Sequence, residues 1–102
     1  MRVLLFQMIA PPLLLLHMYY VYILRSPTTK FLYVGYSTDL DRRLKEHNSN
    51  RSTFTSHKGP WELIYYEAYL NQEDAQERER MLKNYGSTLG HLKKRLSKTL
   101  RK

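Results

Sequence analysis

The sequence has no cysteine, few acidic residues and no long uninterrupted apolar run. The absence of cysteine excludes disulfide bonds and thiolate metal sites, which suits a reducing compartment, and we expect a cytoplasmic protein. The length of 102 residues allows one domain with a single modest core.

Acidic side chains are outnumbered, with 9 Asp and Glu against 17 Lys and Arg, for a formal net charge of +8. A charge this positive favours nucleic acid or an anionic membrane surface as the partner. The alternative is ordinary solvated charge on a small domain.

The apolar run at residues 1–17 is interrupted by Pro11-Pro12. A membrane-spanning helix needs about 20 continuous apolar residues and does not tolerate two prolines well. A signal peptide is an alternative, because Arg2 precedes the apolar run, but no Ala-x-Ala-like cleavage site precedes Met18. We therefore expect residues 1–17 to be an N-terminal extension outside the native domain, and the domain to occupy residues 18–100 without a membrane partner.

A β-hairpin is predicted over residues 20–36, where two runs of aromatic and β-branched residues flank a Ser-Pro-Thr-Thr-Lys turn. Side chains alternate between the faces of a strand, so Tyr20 and Tyr22 share one face of the first strand. Tyr33 and Gly35 share one face of the second strand. If the two faces coincide, phenols meet beside a glycine that leaves room for a ligand or another backbone.

A helix is predicted directly after the hairpin. Thr38 is its expected N-cap, because Asp41 follows three residues later as in a capping box. Arg43 and His47 are four residues apart, so they lie on the same helical face.

Residues 61–69 predict a third strand, and we assign its tyrosines to packing. A second helix is expected from the cap Asn71 to about Tyr85, where Gly86 can terminate it. Its apolar stripe contains Ala75, Met81, Leu82 and Tyr85.

A last helix is expected to begin near Ser87 or Thr88, with leucines at helical spacing: Leu89, Leu92, Leu96 and Leu100. Glu79 lies at the edge of the apolar stripe on the preceding helix. An acid at such a border can line a cleft, whereas the alternative is a solvated charged face.

Basic residues on the helices and on the polar loop at residues 48–60 are candidate nucleic-acid contacts: Arg42, Arg51, Lys58, Lys93 and Lys94. Surface loops often carry function on a rigid scaffold. The alternative for the loop is a plain solvated connection.

These residues resemble the GIY-YIG nucleases over roughly residues 18–96. The two triplets of that family correspond to Tyr20-Val21-Tyr22 and Tyr33-Val34-Gly35, and Arg43 and His47 follow at the expected offsets. Tyr20 replaces the glycine of the first triplet, and Tyr36 stands where excinuclease-C-like members have a lysine.

The resemblance implies an α+β fold of order β-β-α-β-α-α, with three antiparallel strands flanked by helices. It also implies a divalent-metal-dependent endonuclease of the excinuclease-C type, with DNA as substrate and a place in DNA repair. Glu79 would hold Mg²⁺ or Mn²⁺, with Glu77 as the alternative ligand.

In the same resemblance Arg43 holds the scissile phosphate, and either Tyr22 or Tyr33 helps to activate the attacking water. His47 positions the water, a phosphate oxygen or Tyr22. Arginine presents a permanently charged fork that matches a phosphate group.

Three alternatives for function and substrate stay open. The first is the same scaffold binding nucleic acid with little or no catalysis, and the second is a membrane-surface protein anchored by residues 1–17. The third is RNA in place of DNA. No recognition helix or zinc finger follows the domain, so we expect selection by DNA structure more than by sequence, and no obligate protein partner.

Overall fold

A computed structural model describes residues 17–49 and 60–101. The elements of these residues are β1 (Tyr19–Arg25), β2 (Leu32–Ser37), α1 (Leu40–Asn48), β3 (Glu62–Tyr69), α2 (Gln72–Asn84), α3 (Gly86–Arg95) and α4 (Ser97–Leu100). The strands form an antiparallel sheet in the order β2-β1-β3, which confirms the predicted α+β fold. The predicted extension, apart from its last residue, and the candidate contacts Arg51 and Lys58 lie outside the described residues.

The β1–β2 hairpin is closed by its own backbone. Ser26 N–H donates to the carbonyl oxygen of Phe31 at 3.0 Å, and Lys30 N–H donates to the Ser26 carbonyl at 2.8 Å. Across the hairpin Tyr22 pairs with Gly35. Because directly opposed residues share a face, the predicted coincidence of the two tyrosine-bearing faces is confirmed.

The sheet separates two apolar clusters. On one face α2 and α3 pack over a buried core: Val21, Ile23, Val34, Ala75, Leu82 and Leu92. On the other face Leu40 and Leu44 of α1 pack against Tyr22, Leu24 and Trp61. Asn48, at the end of α1, accepts from the Trp61 N–H at 2.6 Å and donates to its carbonyl at 3.0 Å. This pair of bonds holds the end of α1 against the start of β3.

Two predicted helix boundaries are wrong. Asp39, and not Thr38, is the N-cap of α1, because its carboxylate accepts from Arg42 N–H at 3.1 Å while Ser37 Oγ accepts from the Asp39 N–H. Gly86 does not terminate α2, because the extended backbone of Tyr85 (φ −123°, ψ 108°) already turns the chain and Gly86 begins α3.

Three predicted packing positions are also wrong. Met81 is exposed because at 3.6 residues per turn it points away from the line of Ala75 and Leu82. Tyr85 is exposed at the extended turn that follows the helix. Tyr66 is 53% exposed, whereas Tyr65 and Tyr69 are half-buried against the core.

The last predicted helix is divided at Leu96, whose N–H donates to the carbonyls of both Leu92 and Lys93. A second element, α4, follows this division. Within the described residues, no helix is long and apolar enough to cross a membrane.

Candidate active site

Tyr22 lies at the centre of the α1-facing side of the sheet and is 1% exposed. Its ring rests on the backbone of Gly35, where an added Cβ would lie 2.3 Å from Tyr22 Cζ. A side chain at position 35 would therefore displace the phenol. The room that the sequence predicted beside this glycine is filled by the ring of Tyr22.

The Tyr22 hydroxyl is held by His47, with Oη 2.9 Å from Nε2. Burial and, to a smaller extent, the positive charge of Arg43 lower the pKa of His47 to about 4. The imidazole is consequently neutral at neutral pH, so Nε2 accepts the hydroxyl proton when the ring proton is on Nδ1. Of the three roles foreseen for His47, this contact corresponds to positioning Tyr22.

The phenol of Tyr22 is itself neutral in this site. Burial raises its pKa to about 12, and the negative charges of an ionised Tyr33 and of Glu79 act in the same direction. Arg43 opposes them through a hydrogen bond and its charge, but burial dominates. A group with this pKa holds its proton at pH 7.

Arg43 is half-buried one helical turn from His47. Its Nη1 donates to Glu46 Oε1 at 2.9 Å, and this bond lowers the pKa of Glu46. The same bond, together with the hydrogen bond to Tyr22, raises the pKa of Arg43 despite the cost of burial. Arg43 therefore presents a permanent positive charge to the phenol.

Tyr33 joins the site through its ring. Its centroid lies 4.9 Å from that of His47, 6.3 Å from that of Tyr22 and 6.4 Å from that of Trp61. Lys83 of α2 places Nζ 5.6 Å from the same ring centroid. Beyond Tyr33 opens a mainly apolar cleft of about 430 Å³, lined by Leu32, Tyr33, Val34, Leu82, Lys83 and Leu89.

Glu79 supplies the carboxylate of the site. Its side chain is 22% exposed, and Oε2 lies 3.0 Å from Lys83 Nζ. Glu77, the alternative, is 56% exposed and pairs with Arg80 on the outer surface of α2. It is the charge of Glu79 that acts on the pKa of Tyr22.

The donor set is compatible with a magnesium ion. No group of three or more His, Cys, Asp or Glu side chains that could hold a metal occurs in residues 17–49 and 60–101. Mg²⁺, however, usually binds one or two carboxylates together with waters and substrate phosphates. A single half-buried carboxylate, here Glu79, fits that requirement.

The structure thus brings four predicted site residues together: Tyr22, Tyr33, Arg43 and His47. Glu79 lies beside this group, because its partner Lys83 places Nζ near the Tyr33 ring. Arg42 is exposed on α1, with its guanidinium 3.7 Å from Glu46 and 3.9 Å from Asp39. Lys93 and Lys94 lie on exposed positions of α3, which packs on the opposite face of the sheet. The catalytic, metal-binding and nucleic-acid-binding roles of all these residues stay predictions.

Two neighbours of the site were missed. Glu46 pairs with Arg43, and Lys83 pairs with Glu79. Their spacings of three and four residues on a helix are a signal that would have identified both.

The same residues belong to a known class of catalytic domain. Residues 18–95 match the GIY-YIG catalytic domain, and the chain belongs to this family, which points to a nuclease-type function. A UPF0213 protein of Clostridium perfringens is 39% identical over 67 residues, which cover 65% of this chain and 71% of that protein. A UPF0213 protein of Haloquadratum walsbyi is 35% identical over 68 residues, covering 66% and 75% of the two chains.

Among solved structures, the solution NMR structure of a UPF0213 protein from Bacillus halodurans is similar to this chain. The two are 34% identical, and the match covers 74% of this chain and 85% of that one with a TM-score of 0.46.

Proposed function

We propose that the chain is a divalent-metal-dependent endonuclease that hydrolyses DNA phosphodiester bonds and selects its substrate by DNA structure. The observation that carries this proposal is that the two key charged side chains of the candidate active site are each paired with a neighbour on their own helix. Arg43 pairs with Glu46, and Glu79 pairs with Lys83, each within its own helix. Such pairs are worth only about 0.3–0.5 kcal/mol, so a phosphate and a cation can replace them at little cost.

Arg43 binds the scissile phosphate in this proposal. Its guanidinium exchanges Glu46 for phosphate oxygens, to which it can donate two parallel hydrogen bonds. The positive charge then stabilises the negative charge that develops on the phosphorus oxygens, which is often the largest catalytic contribution.

Tyr22 and His47 orient and deprotonate the attacking water. Because the pKa of Tyr22 is raised to about 12, the phenol does not act as a preformed phenolate at neutral pH. Instead its hydroxyl donates to His47 Nε2 and leaves an oxygen lone pair for the water. As the water oxygen bonds to phosphorus, its proton passes to Tyr22 Oη while the Tyr22 proton passes to Nε2. The P–O bond breaks, the leaving oxygen keeps the electron pair and takes a proton from solvent, and His47 returns its extra proton to solvent. Tyr33 is the alternative proton acceptor.

Glu79 would hold the divalent ion. When bound there, such an ion supplies neutralisation of the phosphate charge and help for the departing oxygen. The affinity of Glu79 for a cation is favoured by its partial burial and opposed by Lys83.

The test uses two glutamates on one helix. We expect Glu79→Gln to abolish cleavage of nicked, branched and single-stranded DNA in Mg²⁺, and the matched control Glu77→Gln to cleave like the parent protein. EDTA should also abolish DNA cleavage by the parent protein. Cleavage by Glu79→Gln at the parent rate would overturn the proposed role of this residue.

A second candidate function is nucleic-acid binding without cleavage, and the raised pKa of Tyr22 favours it. In that case the protein binds the same DNA panel at matched salt and cuts none of it. Ionic strength must be held constant, because the affinity of so basic a protein falls steeply with salt.

A further inference from the structure

The face of the sheet that carries Tyr22 is covered over only part of its length. Leu40 and Leu44 of α1 pack at the end where Leu24 and Trp61 lie. Tyr20 and Tyr66 lie toward the other end of this face and belong to neither apolar cluster of the described residues. Tyr66 leaves 53% of its surface exposed.

The exposed ring of Tyr66 and the half-buried ring of Tyr20 form an ordered pair. Their centroids lie 5.9 Å apart, with an interplanar angle of 68°, so the edge of one ring meets the face of the other. This arrangement suits the charge distribution of aromatic rings and fixes their orientation. A fixed ring loses little conformational entropy when a flat ligand stacks on it.

The pair is continuous with the candidate active site. Tyr66 is the direct partner of Tyr22 across the β1–β3 ladder, so both side chains leave the same face. Neighbouring strands lie about 4.8 Å apart, so the backbones of Tyr66 and Tyr22 are adjacent, while the Tyr22 ring lies over Gly35 of β2 on the other side of β1. A ligand held on Tyr66 would therefore lie on the same face of the sheet as the candidate active site, with β1 between it and the Tyr22 ring.

Resting on the proposed function, we propose that Tyr66, braced by Tyr20, is a stacking platform for one unpaired nucleobase beside the scissile phosphate. The substrate class is then DNA with an unpaired nucleotide at the site of cleavage. In a continuous duplex both faces of each base are covered by neighbours, so a ring at this position gains nothing from paired DNA. Any base can stack on an aromatic ring, so this contact would select DNA by its structure and not by its sequence. The net charge of +8 would attract the phosphate backbone in the same sequence-independent way.

Binding in EDTA tests the platform separately from catalysis. The probes are a labelled oligothymidine and a fully paired duplex of the same length, and fluorescence anisotropy gives the affinity. We expect Tyr66→Ala to weaken oligothymidine binding by between about 5-fold and about 150-fold, and to change duplex binding less than about twofold. Tyr66→Phe should bind like the parent protein, because stacking needs the ring and not the hydroxyl.

The matched control is Tyr85→Ala, which removes a similarly exposed ring outside the sheet and should leave both affinities unchanged. Equal weakening on both probes, or no weakening on either, would overturn the platform. So would a dimeric parent protein that Tyr66→Ala converts to a monomer in sedimentation, because the rings would then be a contact between copies. The binding assay does not measure cleavage. A protein that cleaves no DNA but shows the expected loss of oligothymidine binding in Tyr66→Ala would contradict the proposed function and still support the stacking platform.

Discussion

Two clusters on opposite sides of the sheet contain similar side chains and arrange them differently. On the α2 side, Glu67 of β3 accepts hydrogen bonds from Tyr65 Oη at 2.6 Å and Tyr69 Oη at 2.5 Å. Arg78 Nε donates to the same carboxylate at 2.9 Å. Burial works against the charge, but these donors hold the pKa of Glu67 below its ordinary value. We call these four residues the Glu67 network.

The candidate active site also contains tyrosines, an arginine and a glutamate, but here the arginine and the glutamate do not pair with each other. Arg43 pairs with Glu46, and Glu79 pairs with Lys83. The buried phenol of Tyr22 is bonded to a neutral imidazole and not to a carboxylate.

The difference separates a structural network from a binding site. In the Glu67 network the arginine and the carboxylate satisfy each other across two elements, so a ligand would have to break charge-assisted bonds that join β3 to α2. In the candidate active site each pair lies within a single helix, so a ligand could exchange it without separating two elements. Residue types alone therefore do not identify a site, whereas the choice of partner does.

The largest effect that should distinguish the two regions comes from their arginines. We expect Arg43→Ala to lower the cleavage rate by about 10²–10³-fold, because it removes a charged donor from the reacting phosphate. Its free energy of unfolding should change by less than about 1 kcal/mol, since a partly exposed pair with Glu46 is lost. Cleavage kinetics and urea denaturation measure the two quantities.

Arg78→Ala is the matched variant, and it should lower the stability of the protein while leaving the cleavage rate nearly unchanged. It leaves Glu67 with fewer donors, so the free energy of unfolding should fall by about 1.5–3 kcal/mol. At a temperature where both proteins are folded, its cleavage rate should stay within about twofold of the parent rate. If Arg43→Ala loses stability and keeps its rate, the comparison of the two regions fails.

Much of this arrangement was predictable from periodicity. The alternation of side chains along the strands placed Tyr22 with Tyr33 and Gly35, and the four-residue spacing placed Arg43 with His47. The same alternation could not predict that Tyr66 is exposed, because α1 covers one end of that sheet face and leaves the other. The low pKa of His47 could not be predicted from the sequence either, because it depends on burial of the side chain in the packed fold.

The two regions should also respond to acid in different pH ranges. The pKa of His47 is lowered from 6.5 to about 4 in the folded protein. Between these values the unfolded chain binds more protons, so the free energy of unfolding should fall as the pH drops from 6.5 toward 4, by up to about 3 kcal/mol. The pKa of Glu67 is lowered in the folded protein, so Glu67 stabilises the fold at neutral pH. This stabilisation is lost only as the pH falls below 4.5, the ordinary pKa of a glutamate.

Urea denaturation at a series of pH values measures this effect. His47→Gln should lose the fall between pH 6.5 and 4, whereas the control His91→Gln, at an exposed position of α3, should keep it. An unchanged slope in His47→Gln would show that another group carries the acid sensitivity.

The smallest effect concerns the glycine under the Tyr22 ring. At Gly35 an added Cβ would lie 2.3 Å from Tyr22 Cζ, whereas at Gly90 of α3 it would meet nothing within 4 Å. We expect Gly35→Ala to lower the free energy of unfolding by about 1–3 kcal/mol, because the buried ring must move. Gly90→Ala should raise it by about 0.5–1 kcal/mol, since alanine favours a helix.

Ultraviolet titration of the tyrosines adds a readout specific to the site. Burial raises the pKa of two phenols, Tyr22 and Tyr69, to about 12. If Gly35→Ala moves Tyr22 away from its buried position, one of these two should ionise nearer the ordinary value of 10. The titration of Gly90→Ala should match that of the parent protein. A stable Gly35→Ala with an unchanged titration would mean that the backbone shifts to accept the methyl group, and the glycine would then not be what positions the phenol against His47.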